Sequence, residues 1–345
     1  SAIPFPELPI AEDSRAGEKK GAASRTVTFR RAGSEAADDG VLLGEESLPG
    51  AGELRLHREG HRLRLTHDAA GVFDVHPDDD LIEWHGSNAA VSGDLVRSLV
   101  LGRVLPVLLY GSGLFPLHAS GAVVNGGAVA FMAPKGYGKS TMALLLGTRG
   151  ACLLADDTLP LAIDEPVLAG PGDEHAKVWN DAAGELGLPL PDEEPIGRLE
   201  PSQTAAGIGK RKYLLTRGNT PALQWASRRV PLAAVYYLLP TPGAEDRALE
   251  SEDGRNAFPY GEDDPPRRRI GAVEASLALM SCTKIAPLLH RGESGELLER
   301  ASCVSERVPV YGLAVPRDLT GLGVVADAVL RWHGAPESHR AAGEA

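Results

Sequence analysis

The stretch Ala128-Val129-Ala130-Phe131-Met132-Ala133-Pro134-Lys135-Gly136-Tyr137-Gly138-Lys139-Ser140-Thr141-Met142-Ala143-Leu144-Leu145-Leu146 reads as an apolar strand, a glycine-bearing loop and the first turns of a buried helix. Strand, loop and helix in that order are the context in which a G-x-x-x-x-G-K-S/T loop wraps a phosphate chain. The glycines let backbone N–H groups curl toward phosphate oxygens, Lys139 neutralises the outer phosphates, Ser140 offers a hydroxyl to Mg²⁺, and the helix N-terminus favours the anion. The loop residues Pro134, Lys135, Gly136, Tyr137, Gly138, Lys139, Ser140 and Thr141 are therefore expected to hold a nucleotide triphosphate. Ala133 stands where the first glycine is usual, which alanine can do if that position needs no positive φ. Lys135 reads either as a further cation for the phosphates or as an exposed lysine.

Upstream, Asn125-Gly126 is the preferred pair for a two-residue hairpin turn. Pairing Val124 with Gly127 and counting outward aligns His118 with Ala133 at the start of the loop. A histidine there is close to the nucleotide and titrates where phosphate chemistry can use it, although taken alone a structural histidine reads equally well. Downstream, the helix stops at Arg149-Gly150, and Ala151 to Ala155 form a buried strand. A right-handed strand-helix-strand crossover points both strand ends at one sheet edge, so Asp156-Asp157 should emerge beside the loop. Neighbouring strand residues face opposite ways, so one carboxylate faces the γ-phosphate while the other ligates metal through water or fixes the turn. Glu174 and Asp181 follow a glycine turn, with no spacing that singles them out.

His118, Lys139-Ser140 twenty-one residues later and Asp156-Asp157, with Asp157 eighteen beyond Lys139, together resemble the catalytic domain of the HPr kinase/phosphorylase family. Weaker similarity runs through Val178-Trp179-Asn180-Asp181, Lys210-Arg211-Lys212-Tyr213 and Val230-Pro231-Leu232, so the resemblance spans roughly residues 70 to 240. It implies an ATP- and Mg²⁺-dependent serine kinase. His118, Lys139 and Ser140 would form the site with Asp157, the proton acceptor from the substrate serine, and Ser140, Asp156 and Asp157 would supply the metal ligands. The basic run, with Arg211 as its catalytic member, could close over the transferring phosphate or an acidic peptide, or be a solvated turn. The glutamate-rich segment and the C-terminal signature of HPr kinases are missing, which argues against HPr as acceptor. The β-rich stretch before the core is similar to that of peptide-tailoring relatives that phosphorylate a lasso-peptide precursor. HPr kinases assemble through their catalytic domains, so the resemblance allows a homo-oligomer while the sequence leaves the oligomeric state open.

The chain of 345 residues has an apolar fraction of 43%, enough for a real core. The balance of 35 Lys and Arg against 47 Asp and Glu, with few aromatic residues, argues against nucleic acid as a partner. The longest apolar run, Leu99 to Leu117, is broken by Arg103, Pro106 and glycines, and no signal peptide is recognisable. The expectation is a cytoplasmic protein without a membrane partner. Three scattered cysteines, Cys152, Cys282 and Cys303, suggest packed thiols rather than a disulfide or zinc framework.

Hydrophobic period divides the chain into a flexible leader (1–24), a small antiparallel β module (25–93), a P-loop kinase core of mixed sheet and flanking helices (94–242), a mobile acidic and basic loop (243–269), a helical and mixed segment packed on the core (270–333) and a tail (334–345). The fold class expected is α/β, and the resemblance implies that the core is of HPr-kinase type. Three functions share these residues: a serine kinase acting on a peptide or protein, a kinase of small-molecule hydroxyls, and a nucleotide-sensing module without transfer.

Overall fold

The computed structural model describes residues 27–33, 40–48, 52–86, 91–192, 194–199, 209–240, 265, 267–316 and 319–334. The expected leader, the tail beyond residue 334 and all of the acidic and basic loop except 265 and 267–269 lie outside the described residues. The chain forms two compact units. One is drawn from Ser1–His118, Pro160–Glu165 and Ala272–Glu306, the other from Ala119–Leu159, Pro166–Gly271 and Arg307–Ala345. The stretch 270–333, read from sequence as one segment, is therefore shared between them. Among the described residues no helix is long and apolar enough to cross a membrane.

In the first unit β1 (Thr28–Arg31), β2 (Val41–Leu48), β3 (Gly52–Glu59), β4 (Arg62–His67), β5 (Gly71–His76) and β6 (Leu81–His85) form a six-stranded sheet in the order β1-β6-β5-β4-β3-β2. All pairs are antiparallel except β1 with β6, which the sequence pattern did not distinguish. Period-two alternation gathers Leu56, Leu65, Phe73 and Trp84 into one cross-strand row, each at most 5% exposed.

Helices α1 (Gly93–Leu99) and α2 (Leu105–Gly111) are joined by a π-helical turn at Val100–Val104. The turn ends just before Pro106, which has no N–H to give the α-helical ladder, so the hydrogen-bond register changes there. Gly111 closes α2 at a point where a Cβ would lie 2.6 Å from Pro77 Cγ and 2.9 Å from Leu63 Cδ1, so the close approach to the sheet requires glycine. Strand β7 (Phe115–Leu117) follows.

The second unit opens with the expected hairpin of β8 (Ala119–Val124) and β9 (Gly127–Met132). Its ladder runs from Val124–Gly127 to Ala119–Met132, the anticipated register, and Asn125 (φ 48°) and Gly126 (φ 80°) make the turn. Next come α3 (Lys139–Thr148), β10 (Cys152–Ala155), β11 (Leu159–Ala162), which belongs to the first unit apart from Leu159, then β12 (Leu168–Ala169), β13 (His175–Trp179), α4 (Asn180–Glu185), β14 (Gly197–Leu199), β15 (Lys210–Thr216), β16 (Val230–Pro240) and β17 (Arg267–Arg269). Helices α5 (Ala272–Ser281) and α6 (Gly295–Arg307) belong to the first unit apart from Arg307, and β18 (Val310–Val315) and α7 (Leu319–Trp332) complete the second. Arg267–Arg269, read from sequence as part of the mobile loop, are a strand instead, because β18 offers them an antiparallel edge.

The core of the second unit is a mixed sheet. Strand β8 lies between β10 and β9, and β16 runs parallel to both β9 and β18. Helix α3 is apolar all round because both its sides are covered. Met142, Leu145 and Leu146 join Phe131, Tyr236, Leu313 and Val325 in one core. Ala143 and Leu144 join Leu153, Val178, Leu215 and Trp225 in another, beneath the separate sheet β13-β15-β14. The protein is thus mixed α/β, with a small, nearly all-antiparallel sheet ahead of a helix-flanked mixed core.

Candidate phosphate-loop site

The loop between β9 and α3 has the backbone its sequence requires. Gly136 (φ 90°) and Gly138 (φ 85°) are both left-handed, and Gly138 caps the helix. Ala133 is 1% exposed and is not among the positive-φ residues, which explains how alanine serves there. Lys139 is 8% exposed, and its ammonium donates to the loop carbonyls of Ala133 at 2.8 Å and Pro134 at 3.3 Å. Pro134, Lys135, Gly136 and Tyr137 form the exposed lip of the loop.

Strand β10 ends beside this loop, as the crossover argument required, although β8 stands between β10 and β9. The two aspartates after it are held in different ways. Asp156 is 3% exposed and saturated with neutral donors: Oδ1 accepts from Ser120 Oγ at 2.5 Å and Ser140 Oγ at 2.7 Å, and Oδ2 accepts from the Lys177 N–H at 2.9 Å. Asp157 has φ 100°, a region costly for any residue with a Cβ. Its N–H donates to the Ala119 carbonyl at 3.2 Å, and its carboxylate pairs with Lys177 Nζ at 3.2 Å. One residue of β13 therefore touches both carboxylates, Asp156 through its backbone and Asp157 through its ammonium. Burial disfavours the charged form of Lys177, but the opposing charges of Asp157 and Asp156 win and raise its pKa.

Gly172 brings the next loop against this corner. Its N–H donates to Leu154 O at 2.9 Å, and a Cβ would stand 2.9 Å from that of Ala155. The close packing leads into Asp173 and His175, whose Oδ2 and Nδ1 are 2.9 Å apart with His175 2% exposed. Burial pulls the His175 pKa down, and Asp173 more than offsets it, so the imidazole is raised overall.

The basic run divides by strand alternation. Trp179 is the register partner of Lys212 and Val178 of Tyr213, so Lys177, Trp179, Lys210 and Lys212 share one face of the β13–β15 pair. Arg211, expected to act as a catalytic cation, is exposed on the other face, and its N–H donates to Asn180 Oδ1 at 2.8 Å. The sequence gives three consecutive cations, and the pleat turns Lys210 and Lys212 toward the carboxylates' side but not Arg211. Lys210 pairs with Asp181, and Arg217 grips Glu174 through two contacts of 2.6 Å, so both of those acids are used away from the loop.

His118 is half-buried at the last position of the first unit, and its N–H donates to Cys282 O at 2.6 Å. Ser120 and Lys177 escaped the reading of the sequence, which took Lys212 only as a member of the basic run. Alternation in His175-Ala176-Lys177-Val178-Trp179 was the one signal that could have picked out Lys177, as a lone cation among apolar strand residues.

No protein-family profile and no curated protein matches the chain. Among solved structures, the HPr(Ser) kinase/phosphatase from Coxiella burnetii is similar with a TM-score of 0.31 and 12% identity, over 64% of this chain and 99% of that one. A likeness this distant bears no functional weight, and the chemistry rests on the side chains.

The donor set fits a nucleotide and Mg²⁺. Two left-handed glycines open the loop amides, α3 presents its N-terminus, and Ser140 Oγ and Asp156 Oδ1 are hard oxygen donors 2.7 Å apart. Mg²⁺ is usually held by one or two such ligands together with phosphate oxygens and water. Among the described residues no cluster of three or more His, Cys, Asp or Glu side chains forms a cage for a metal alone.

Proposed function

We propose that this protein is an HPr-kinase-like, ATP-dependent serine kinase. It transfers the γ-phosphate of Mg-ATP to a serine hydroxyl of a peptide or protein, with lasso-peptide-type precursors among the candidate acceptors. The observation that carries the reading is the division of labour after β10: Asp156 accepts a hydrogen bond from the loop serine, while Asp157 has a positive φ and is held by a lysine.

Phosphoryl transfer asks a protein for position and charge more than for covalent chemistry. The loop amides, Lys135 and Lys139 hold the phosphate chain, with Lys139 already at the loop through the Ala133 and Pro134 carbonyls. Ser140 and Asp156 would hold the Mg²⁺, which would supply charge neutralisation at the phosphates. Asp157 accepts the hydrogen bond of the incoming hydroxyl and takes its proton as the new P–O bond forms. Lys177 fixes the direction of that carboxylate. His118, joined to the residue whose carbonyl receives the Asp157 N–H, orients the same turn or contacts the γ-phosphate.

The test is transfer of γ-labelled phosphate from Mg-ATP into serine peptides and a size-fractionated extract, with Asp157→Asn as control. Label in peptide or protein that the control loses supports the reading. Label confined to small molecules moves the acceptor class, and no Asp157-dependent label anywhere overturns transfer.

A further inference from the structure

Three cations share the carboxylates' side of the β13–β15 pair, and two of them are committed. Lys177 pairs with Asp157 and Lys210 with Asp181. Among the described residues no carboxylate lies within ion-pair distance of Lys212, which stands between them. Its ammonium sits 5.3 Å from the centre of the Trp179 ring. The charged end itself lies over the ring, so Trp179 holds the ammonium in place by a cation–π contact. Burial, with the like charges of Lys177 and Lys135, holds the pKa of this half-buried cation below the usual lysine range against the pull of Asp156 and Asp157. A partly desolvated cation with no carboxylate in direct contact is stabilised further when an anion arrives.

We propose that Lys212, on its Trp179 platform, is a specificity-determining anion subsite for a carboxylate of the acceptor peptide next to the serine to be phosphorylated. The inference rests on the kinase reading, which brings the acceptor hydroxyl to Asp157, and it adds the acceptor's chemical class. The nucleotide phosphates have their own cation in Lys139, and Asp157 has Lys177, so Lys212 is the charge left over on the side from which a hydroxyl reaches Asp157. The chain as a whole is acidic, with a formal charge of −12, so an acidic segment would be drawn to this corner and repelled by most of the remaining surface.

The experiment is equilibrium binding by fluorescence anisotropy with Mg²⁺ and a non-hydrolysable ATP analogue present, so that no transfer is needed. Two fluorescein-labelled peptides differ only around the serine, Asp-Ser-Asp in one and Asn-Ser-Asn in the other. The Asp peptide should bind the parent about tenfold tighter than the Asn peptide, as expected for one charge-assisted contact. Lys212→Met should remove that difference and Lys212→Arg should keep it. Equal binding of the two peptides, binding of neither, or a difference that Lys135→Met abolishes and Lys212→Met does not, would overturn the proposal. Label transfer with Asp157→Asn judges the kinase reading separately, so failure of one is not mistaken for failure of the other.

Discussion

Two carboxylate-centred charge clusters, one around Asp74 in the first unit and one around Asp157 in the second, are built to opposite specifications. In the first sheet Arg64, 1% exposed, grips Asp74 with Nε and a terminal nitrogen at 2.8 Å each, and His85 Nε2 at 3.1 Å and Arg62 at 3.4 Å complete the group. The geometry is two-pronged and closed, on regular strands. Beside the phosphate loop, Asp157 sits on a strained backbone with one lysine at 3.2 Å, and Lys212 next to it has no carboxylate partner among the described residues. A closed network holds a fold together. Strain and unspent charge mark a place where something else is to be bound.

The sharpest way to break this contrast is Asp157→Asn. It should lower label transfer by about a hundredfold to ten-thousandfold, the range for a general base, while thermal unfolding stays close to that of the parent. Arg64→Met should do the reverse. Removing one partner of a buried pair costs about 3–5 kcal/mol, read as a fall in the urea midpoint reported by Trp84, which is buried in that sheet.

The pH dependence of the first cluster follows from Asp74. Burial pushes its carboxyl up, but the Arg64 hydrogen bonds and the charges of Arg64, Arg62 and His85 more than reverse this and hold it below the ordinary value. A carboxylate lowered by folding adds stability above its unfolded pKa, about 3.9, and that stability is lost as pH falls through the folded value. Asp74→Asn should therefore be less stable than the parent at neutral pH, with the gap closing below about pH 4. Urea midpoints across that range check the sign, and a gap that widens in acid would refute it.

The smallest effect separates strain from contact at Asp157. Asp157→Gly and Asp157→Ala lose the same ion pair with Lys177, but only alanine keeps a Cβ at φ 100°. The glycine variant should be the more stable of the two by about 1 kcal/mol, measured by urea unfolding.

Local chemistry settled much of this protein within its sequence. Glycines at 136 and 138 fix the backbone of the loop ahead of Lys139-Ser140 because few other residues allow that conformation. Asn125-Gly126 fixes the hairpin register because both turn residues need positive φ, and alternating apolar residues fix the strands of the first sheet. Crossover handedness even placed Asp156 and Asp157 at the right edge. What the sequence left open depends on partners distant in the chain. Asp156 and Asp157 looked alike until Ser120, Ser140 and Lys177 divided them, and those three residues come from β8, α3 and β13. Lys210, Arg211 and Lys212 were one basic run until pairing with β13 fixed which of them face Trp179 and the carboxylates. Backbone conformation is a short-range property that neighbouring residues dictate, whereas a charge acquires its role only when packing chooses its partner.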